Sequence, residues 1–150
     1  MSNENPLSNF LPLLELDEYV SFDLETTGLN LKKDRITEIS ACRFVHGEFT
    51  EEYTSLINPC IPIPKNIVKL TGITNDMVKD APYIENILPD LLDFIGTSSL
   101  VGHNVEFDYS FLCKDIDSAN LTKSEVPLYD TLSLARTFIY FQSGFSLSSL

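Results

Sequence analysis

Basic side chains are scarce in this sequence. Ten Lys and Arg stand against 22 Asp and Glu, for a formal net charge of −12 over 150 residues. None precedes Lys32, whereas Glu4, Glu15, Asp17, Glu18, Asp23 and Glu25 all do. The broad basic footprint of a general nucleic-acid coat protein is therefore missing, and any contact with nucleic acid must rely on cations or a few local groups. Cysteine is sparse too. Cys42, Cys60 and Cys113 are odd in number, widely spaced and without a Cys-x-x-Cys pair, which excludes a disulfide framework and a zinc knuckle. No apolar run approaches the length of a membrane span, Phe10–Leu14 being typical, and the polar start Met1–Glu4 lacks the pattern of a signal peptide. These absences predict a protein of the reducing cytoplasm with no membrane partner. With 6 Gly and 8 Pro, and 43% hydrophobic residues, the chain is neither collagenous nor disordered, and its length suits one domain with one core.

What is present has a clear order. From Tyr19 to Glu25 apolar Val20, Phe22 and Leu24 alternate with Ser21, Asp23 and Glu25, the period of a strand with one buried face. Thr26–Lys33 reads as a loop. Ile36–Val45 and Phe49–Ile57 read as two further strands joined by a turn at His46-Gly47-Glu48, giving an antiparallel meander. Pro59, Pro62 and Pro64 then interrupt the sheet. Short helices are predicted at Lys65–Leu70 and, capped by Thr74, at Asn75–Lys79. Pro82 is expected to open a longer helix to Ile95. Ser99–Gly102 reads as a strand, Asn104 as the cap of a helix over Val105–Asp115, and Asp130 as the cap of one over Thr131–Tyr140. Ser146–Leu150 has the pattern of a helix beginning. The succession predicts a three-layer α/β fold with a mixed sheet.

Three acids stand out chemically. Asp23 and Glu25, two apart on a strand, leave the same face at its carboxyl end, where open α/β sheets build their sites. Alternating polar residues also simply face water, but the following Thr26-Thr27-Gly28 turn offers backbone N–H groups beside the pair. Asp108 sits among Val105, Phe107, Tyr109, Phe111 and Leu112, on a helix apolar nearly all round. A carboxylate there is either a first-turn acid on the helix dipole or a buried group in need of a partner. Three converging carboxylates resist ionising together, and a hard divalent cation, Mg²⁺ or Mn²⁺, removes the conflict. Other constellations fail. Ser110 with His103 and Asp108 has no nucleophile elbow, Cys113 reads as a core thiol, His46 as a turn residue facing solvent, and no phosphate-binding glycine pattern occurs.

Phe22-Asp23-Leu24-Glu25-Thr26-Thr27-Gly28-Leu29 resembles the first motif of the DEDD superfamily of 3′–5′ exonucleases. Val101-Gly102-His103-Asn104 with Phe107-Asp108 resembles its second motif. Ile57-Asn58-Pro59, Ile61-Pro62-Ile63-Pro64 and Leu70-Thr71-Gly72-Ile73-Thr74 resemble the proofreading and PolC-type branch of bacterial DNA polymerase III. Tyr129-Asp130-Thr131-Leu132, Leu134-Ala135-Arg136 and Phe145-Ser146-Leu147 are similar to the stretch before the third motif. The resemblance implies an RNase H-like fold, two Mg²⁺ or Mn²⁺ ions, and release of nucleoside monophosphates from the 3′ end of single-stranded DNA. Carried over by position, Asp23 bridges both metals, Glu25 holds the first and Asp108 serves the second. Thr26, Thr27 and Phe107 would lie against the terminal nucleotide, with Leu70 and Ile73 near its base and His103 and Asn104 on the substrate side. A polymerase subunit is the implied protein partner. Two other readings are an RNA-directed exoribonuclease of the same superfamily and a non-catalytic remnant that binds metal or a polymerase partner.

The third motif, a histidine base followed by a fourth aspartate, is not found before Leu150. The chain thus reads as one exonuclease domain, with a 1–17 extension and an 18–150 core, incomplete at its carboxyl end. General-base catalysis contributes about 10²–10⁴-fold. Residues 1–150 alone are therefore expected to hydrolyse single-stranded DNA little or not at all, and a chain extended through the third motif to release mononucleotides. Electrophoresis of end-labelled DNA separates the two outcomes.

Overall fold

The computed structural model describes residues 16–138 and 144–146. Strand β1 (Glu18–Thr26) lies at the centre of a five-stranded sheet, between β2 (Ile36–Val45) and β4 (Ser99–Gly102). With β3 (Glu48–Leu56) outside β2 and β5 (Leu128–Asp130) outside β4, the order is β3-β2-β1-β4-β5. β1, β2 and β3 pair antiparallel, whereas β4 joins β1, and β5 joins β4, in parallel. The expected mixed sheet with its three-stranded meander is thus formed, within the expected α/β architecture. No helix among the described residues is long and apolar enough to cross a membrane.

Alternation on β1 decides which face is dry. Val20, Phe22 and Leu24 are buried, opposite Ala41 and Ile39 of β2 and beside Leu100 of β4. Helices α3 (Ile84–Ile95) and α4 (Val105–Ser118) close this face with Leu88, Leu91 and Ile95 from one and Val105, Phe111, Leu112 and Ile116 from the other. The other face carries Tyr19 stacked on Phe44 at 5.1 Å, then Ser21, Asp23 and Glu25. A satellite core of Ile63, Ile73 and Val78 sits under the short helices α1 (Lys65–Thr71) and α2 (Asn75–Val78). Arg43 joins sheet to helix: it pairs with Glu18 and Glu51, donates to the Phe94 carbonyl and lies over the Phe94 ring.

Local chemistry explains most boundaries. The β2–β3 hairpin turns on two residues, His46 (φ 52°) and Gly47 (φ 80°), so β3 begins at Glu48, earlier than expected. Thr74 caps α2 by accepting from the Met77 N–H. Two expectations are corrected. Pro82 does not open α3; its carbonyl accepts from Asn58 N–H at 2.9 Å, which holds it in an extended path, and the helix starts at Ile84 with Pro89 inside it. Asn104 precedes α4, but in the left-handed region (φ 67°) and without a side-chain cap bond, and α4 runs to Ser118. Helix α5 (Thr131–Phe138) follows Asp130, which accepts from Leu132 N–H at 3.0 Å. The expected helical residues at Tyr140 and Leu147–Leu150 lie outside the described residues.

Gly102 marks the tightest point. A Cβ there would meet the Phe22 carbonyl oxygen at 2.7 Å and Val105 Cγ2 at 3.0 Å. Gly102→Ala should destabilise the fold by about 1–3 kcal/mol, as overpacking against unyielding backbone does, and urea unfolding followed by circular dichroism measures it.

Candidate active site

β1 and β4 run parallel, so their carboxyl ends open on the same edge of the sheet. From that edge β1 projects Asp23 and Glu25 on the face away from the core. β4 leads through Gly102, His103 and Asn104 into α4, whose first turn carries Asp108. Asp108 is only 4% exposed, while solvent reaches Asp23 and Glu25. Burial pushes the Asp108 carboxyl up to about 7, the Asp23 charge adds to the push, and the Leu24 and Asp108 backbone N–H groups oppose it. Glu25 is raised by burial and by the charges of Asp23 and of Glu38, its partner across the β1–β2 ladder. Asp23 is raised by burial and lowered by His103. The three acids therefore share one electrostatic site, with no ion pair to any of them among the described residues.

Does this donor set fit a divalent cation? Among the described residues no three His, Cys, Asp or Glu side chains are gathered closely enough to enclose one. Their chemistry nevertheless suits it: hard oxygen donors, mutual repulsion, and a buried carboxyl held back from ionising until positive charge arrives. Glu38 is a fourth acid at this edge that sequence reasoning missed, because only the strand register puts it opposite Glu25.

The surrounding loops are tightly hydrogen-bonded. Thr27 is 2% exposed; its hydroxyl donates to Asp34 Oδ1 at 3.1 Å and accepts from Arg35 N–H at 3.0 Å. The Thr26 hydroxyl donates to the Gly28 carbonyl at 2.7 Å. Both threonines thus brace the loop leaving β1. On the second loop Asp130 accepts from Asn104 N–H at 2.7 Å as well as from Leu132 and Ser133. Partial burial works against ionisation of Asp130, but the bonds from Ser133, Asn104 and Leu132 outweigh it and lower its pKa. Expected only as a helix cap, Asp130 also pins the turn that launches α4. No local signal in the sequence announces that contact.

Both ring nitrogens of His103 are engaged. Nε2 donates to the Phe145 carbonyl at 2.6 Å, and Nδ1 meets the Thr131 hydroxyl at 3.2 Å. Phe107 is half-buried, packed on Phe111 with ring centroids 5.1 Å apart. Leu70 is 80% exposed, whereas Ile73 is 4% exposed in the satellite core. Ile73 is therefore corrected from a base-contacting residue to a packing residue, because the Thr71-Gly72 turn folds it inward between Ile63 and Val78.

A family model for exonucleases (RNase_T) matches residues 20–149. The chain belongs to this exonuclease family. PolC-type DNA polymerase III of Clostridium perfringens is 42% identical over 120 residues, 80% of this chain and 8% of the polymerase. That of Bacillus subtilis is 40% identical over 129 residues, 85% of this chain and 9% of the polymerase. This exonuclease-family chain thus spans less than a tenth of the length of those relatives. Exonuclease X in complex with 5′ overhanging duplex DNA superposes with a TM-score of 0.68 at 26% identity, over 88% of this chain and 70% of its own. Escherichia coli Exonuclease I in complex with a dT13 oligonucleotide shares the fold, with a TM-score of 0.77 at 17% identity over 89% of this chain and 35% of its own.

The raised Asp108 carboxyl has a signed consequence. The unfolded group titrates near 3.8 and the folded one at about 7, so the folded state binds the proton more tightly between them. Asp108 therefore favours folding most below pH 4, and this contribution is lost as pH rises from about 4 to about 7. Without divalent metal, the melting temperature of the wild type should fall across this range relative to that of Asp108→Asn. Parallel pH profiles for the two would contradict the assignment.

Proposed function

We propose that this chain is a metal-dependent 3′–5′ exonuclease module acting on DNA, of the type that proofreads for a polymerase. The observation that carries the reading is the meeting of Asp23 and Glu25, at the end of β1, with buried Asp108 on α4, in a chain of the exonuclease family. The association with a polymerase rests on the likeness to PolC-type DNA polymerase III, DNA as substrate also on Exonuclease X, and the direction on the resemblance of the Phe22–Leu29 and Val101–Asp108 motifs to 3′–5′ exonucleases.

Asp23, Glu25 and Asp108 would hold the Mg²⁺ or Mn²⁺ ions. When bound, the cation supplies positive charge where the scissile phosphate accumulates negative charge. The protein's own part is placement. Leu24 N–H steadies Asp108 from the strand, Gly102 lets α4 come close enough to present it, and Asp130 fixes the turn between. Asp23 and Glu25 stay at the rim, open to a phosphodiester arriving from solvent. The Thr26 and Thr27 hydroxyls are committed to the loop, so their share in binding is to shape the backbone beside the terminal nucleotide. Exposed Leu70 offers apolar surface to the terminal base, and Phe107 a half-buried ring below it. His103 and Asn104 act as fasteners of the second loop, and His103, bonded through both nitrogens, does not supply the base.

Binding and chemistry are tested separately. Saturating Mn²⁺ should raise the melting temperature of the 150-residue chain, since a ligand at 100 times its Kd adds about 2.7 kcal/mol to stability. Asp23→Asn and Asp108→Asn should lose most of the shift. Hydrolysis is read in a chain extended by the residues that follow the matched region in the Bacillus subtilis polymerase. It should release mononucleotides from the 3′ end of 5′-labelled single-stranded DNA only with Mn²⁺ or Mg²⁺, and Asp108→Asn should slow this by at least about 10²-fold. Release from the 5′ end, or equal metal shifts in all three proteins, would overturn the reading.

A further inference from the structure

Away from the three carboxylates lies a groove of about 560 Å³ between the β1–β2 loop, the segment after β3, the first turn of α3 and the second half of α4. Its volume is that of a small-molecule site. Its lining is unlike the rest of this acidic chain. Lys32, Arg35 and Lys114 all face it, three of the ten basic residues that the sequence holds. Asp115 lies beside Lys114 and near Arg35, Glu85 lines the α3 wall, and Tyr83 presents a ring that is 52% exposed. The apolar floor comes from Ile36 and Ile57, strand-end residues held together by an Ile57 N–H bond to the Thr37 carbonyl at 2.8 Å.

The groove is built in advance of any occupant. Lys114 Nζ lies 3.2 Å from Asp115 Oδ1, 3.3 Å from the Asp34 carbonyl and 5.1 Å from the centroid of Phe111. Asp115 is 8% exposed, so this ion pair sits largely out of water, where charge–charge recognition is strong. The Arg35 guanidinium donates to the Asp34 carbonyl at 2.9 Å and keeps further N–H groups for an anion. On the opposite wall Asn58 bonds to the Pro82 carbonyl at 2.9 Å and the Lys79 carbonyl at 2.9 Å, fixing the approach to Tyr83.

We propose that this groove is a second nucleotide-binding site, separate from the hydrolytic one. The three features of a nucleotide each meet a matching group. Lys32 and Arg35 suit the phosphate, the Tyr83 ring suits the base, and the Glu85 carboxylate accepts from a sugar hydroxyl or an exocyclic amine. A bare phosphate would use the cations and leave the ring and Glu85 idle. Asp115 is seven residues beyond Asp108 on α4, about 10 Å along the helix axis, so the groove is distinct from the carboxylate edge yet within a few nucleotides of it. The ligand is either a released nucleoside monophosphate or an interior nucleotide of the substrate strand. The nuclease reading makes both available, but the groove's chemistry stands without it.

Cys60 supplies the readout, because it is exposed and lines the groove. The whole 150-residue protein is alkylated with iodoacetamide in EDTA, which silences the metal site, and Cys60 is followed apart from Cys42 and Cys113 by peptide mapping. Deoxyadenosine 5′-monophosphate should slow the reaction of Cys60, with deoxyadenosine or inorganic phosphate alone much less effective. Lys32→Gln with Arg35→Gln should raise the protecting concentration by about tenfold or more, the effect of losing a charged hydrogen bond. Tyr83→Ala should weaken the nucleotide without altering phosphate, and Asp108→Asn should change nothing. Protection by an oligodeoxyadenylate at lower concentration identifies the strand as the source; equal or better protection by the monophosphate identifies the free nucleotide. Absence of protection by either would overturn the proposal. So would phosphate acting as well as the nucleotide, or protection that disappears in Asp108→Asn. No arm depends on metal or hydrolysis, so a failure here leaves the nuclease reading untouched, and the converse holds.

Discussion

The closeness of β1 to β4 at Gly102 governs everything around the candidate site. A hydrogen atom in place of a side chain lets the Phe22 carbonyl and Val105 lie against the same backbone position. Only then can the first turn of α4 lean over the end of β1. Asp108 consequently shares its surroundings with Leu24, Asp23 and Glu25, although more than eighty residues of sequence lie between. The loops on either side are braced to keep that geometry, one through Thr27 and Asp34, the other through Asp130 and Asn104. A site assembled from two elements needs such supports, because neither strand nor helix alone fixes the relation between their side chains.

Electrostatics runs against this packing. The chain is strongly acidic, and its most buried acid at this edge faces two others rather than a base. Packing energy from Phe22, Leu24, Val105 and Phe111 holds together what charge alone would push apart. Opposite charge elsewhere is used differently: Arg43 ties β2 and β1 to α3 through Glu18, Glu51 and the Phe94 carbonyl. Among the described residues Arg43 is thus paired with its acids, whereas the three carboxylates form no ion pair.

Much of this was legible in the sequence, for physical reasons that also mark where legibility ended. Alternation from Tyr19 to Glu25 reports burial directly, so β1, its inward face and its two outward acids could be read before any coordinates. The His46-Gly47 turn and the Thr74 cap are likewise local, written in residues that sit beside the structure they make. Apart from shifts of a few residues at element ends, the failures were non-local. Pro82 was drawn out of α3 by Asn58, twenty-four positions earlier, and Asn104 takes a left-handed conformation with its N–H held by Asp130, twenty-six positions later. Ile73 went into a satellite core that only the folding of α1 and α2 against Ile63 creates. Glu38 joined the acidic edge through strand register, which no single segment encodes.

The β1–β4 register also orders events in time. β1, β2 and β3 are joined by short connections, and their pairing closes small loops. The parallel pairing of Tyr19 with Ser99 and Ser21 with Val101 closes a loop of eighty residues. Contacts so distant in sequence form slowly, after local ones have restricted the chain. The meander is then the early scaffold, and Asp23 and Glu25 wait on it as ordinary surface acids until β4 docks and carries α4 with it. Repulsion from Asp108 is added to that among Asp23, Glu25 and Glu38 only at this last closure. The final step of folding therefore works against electrostatic pressure, and divalent cations in the medium should hold this closure shut by slowing its reopening more than they speed the meander's formation.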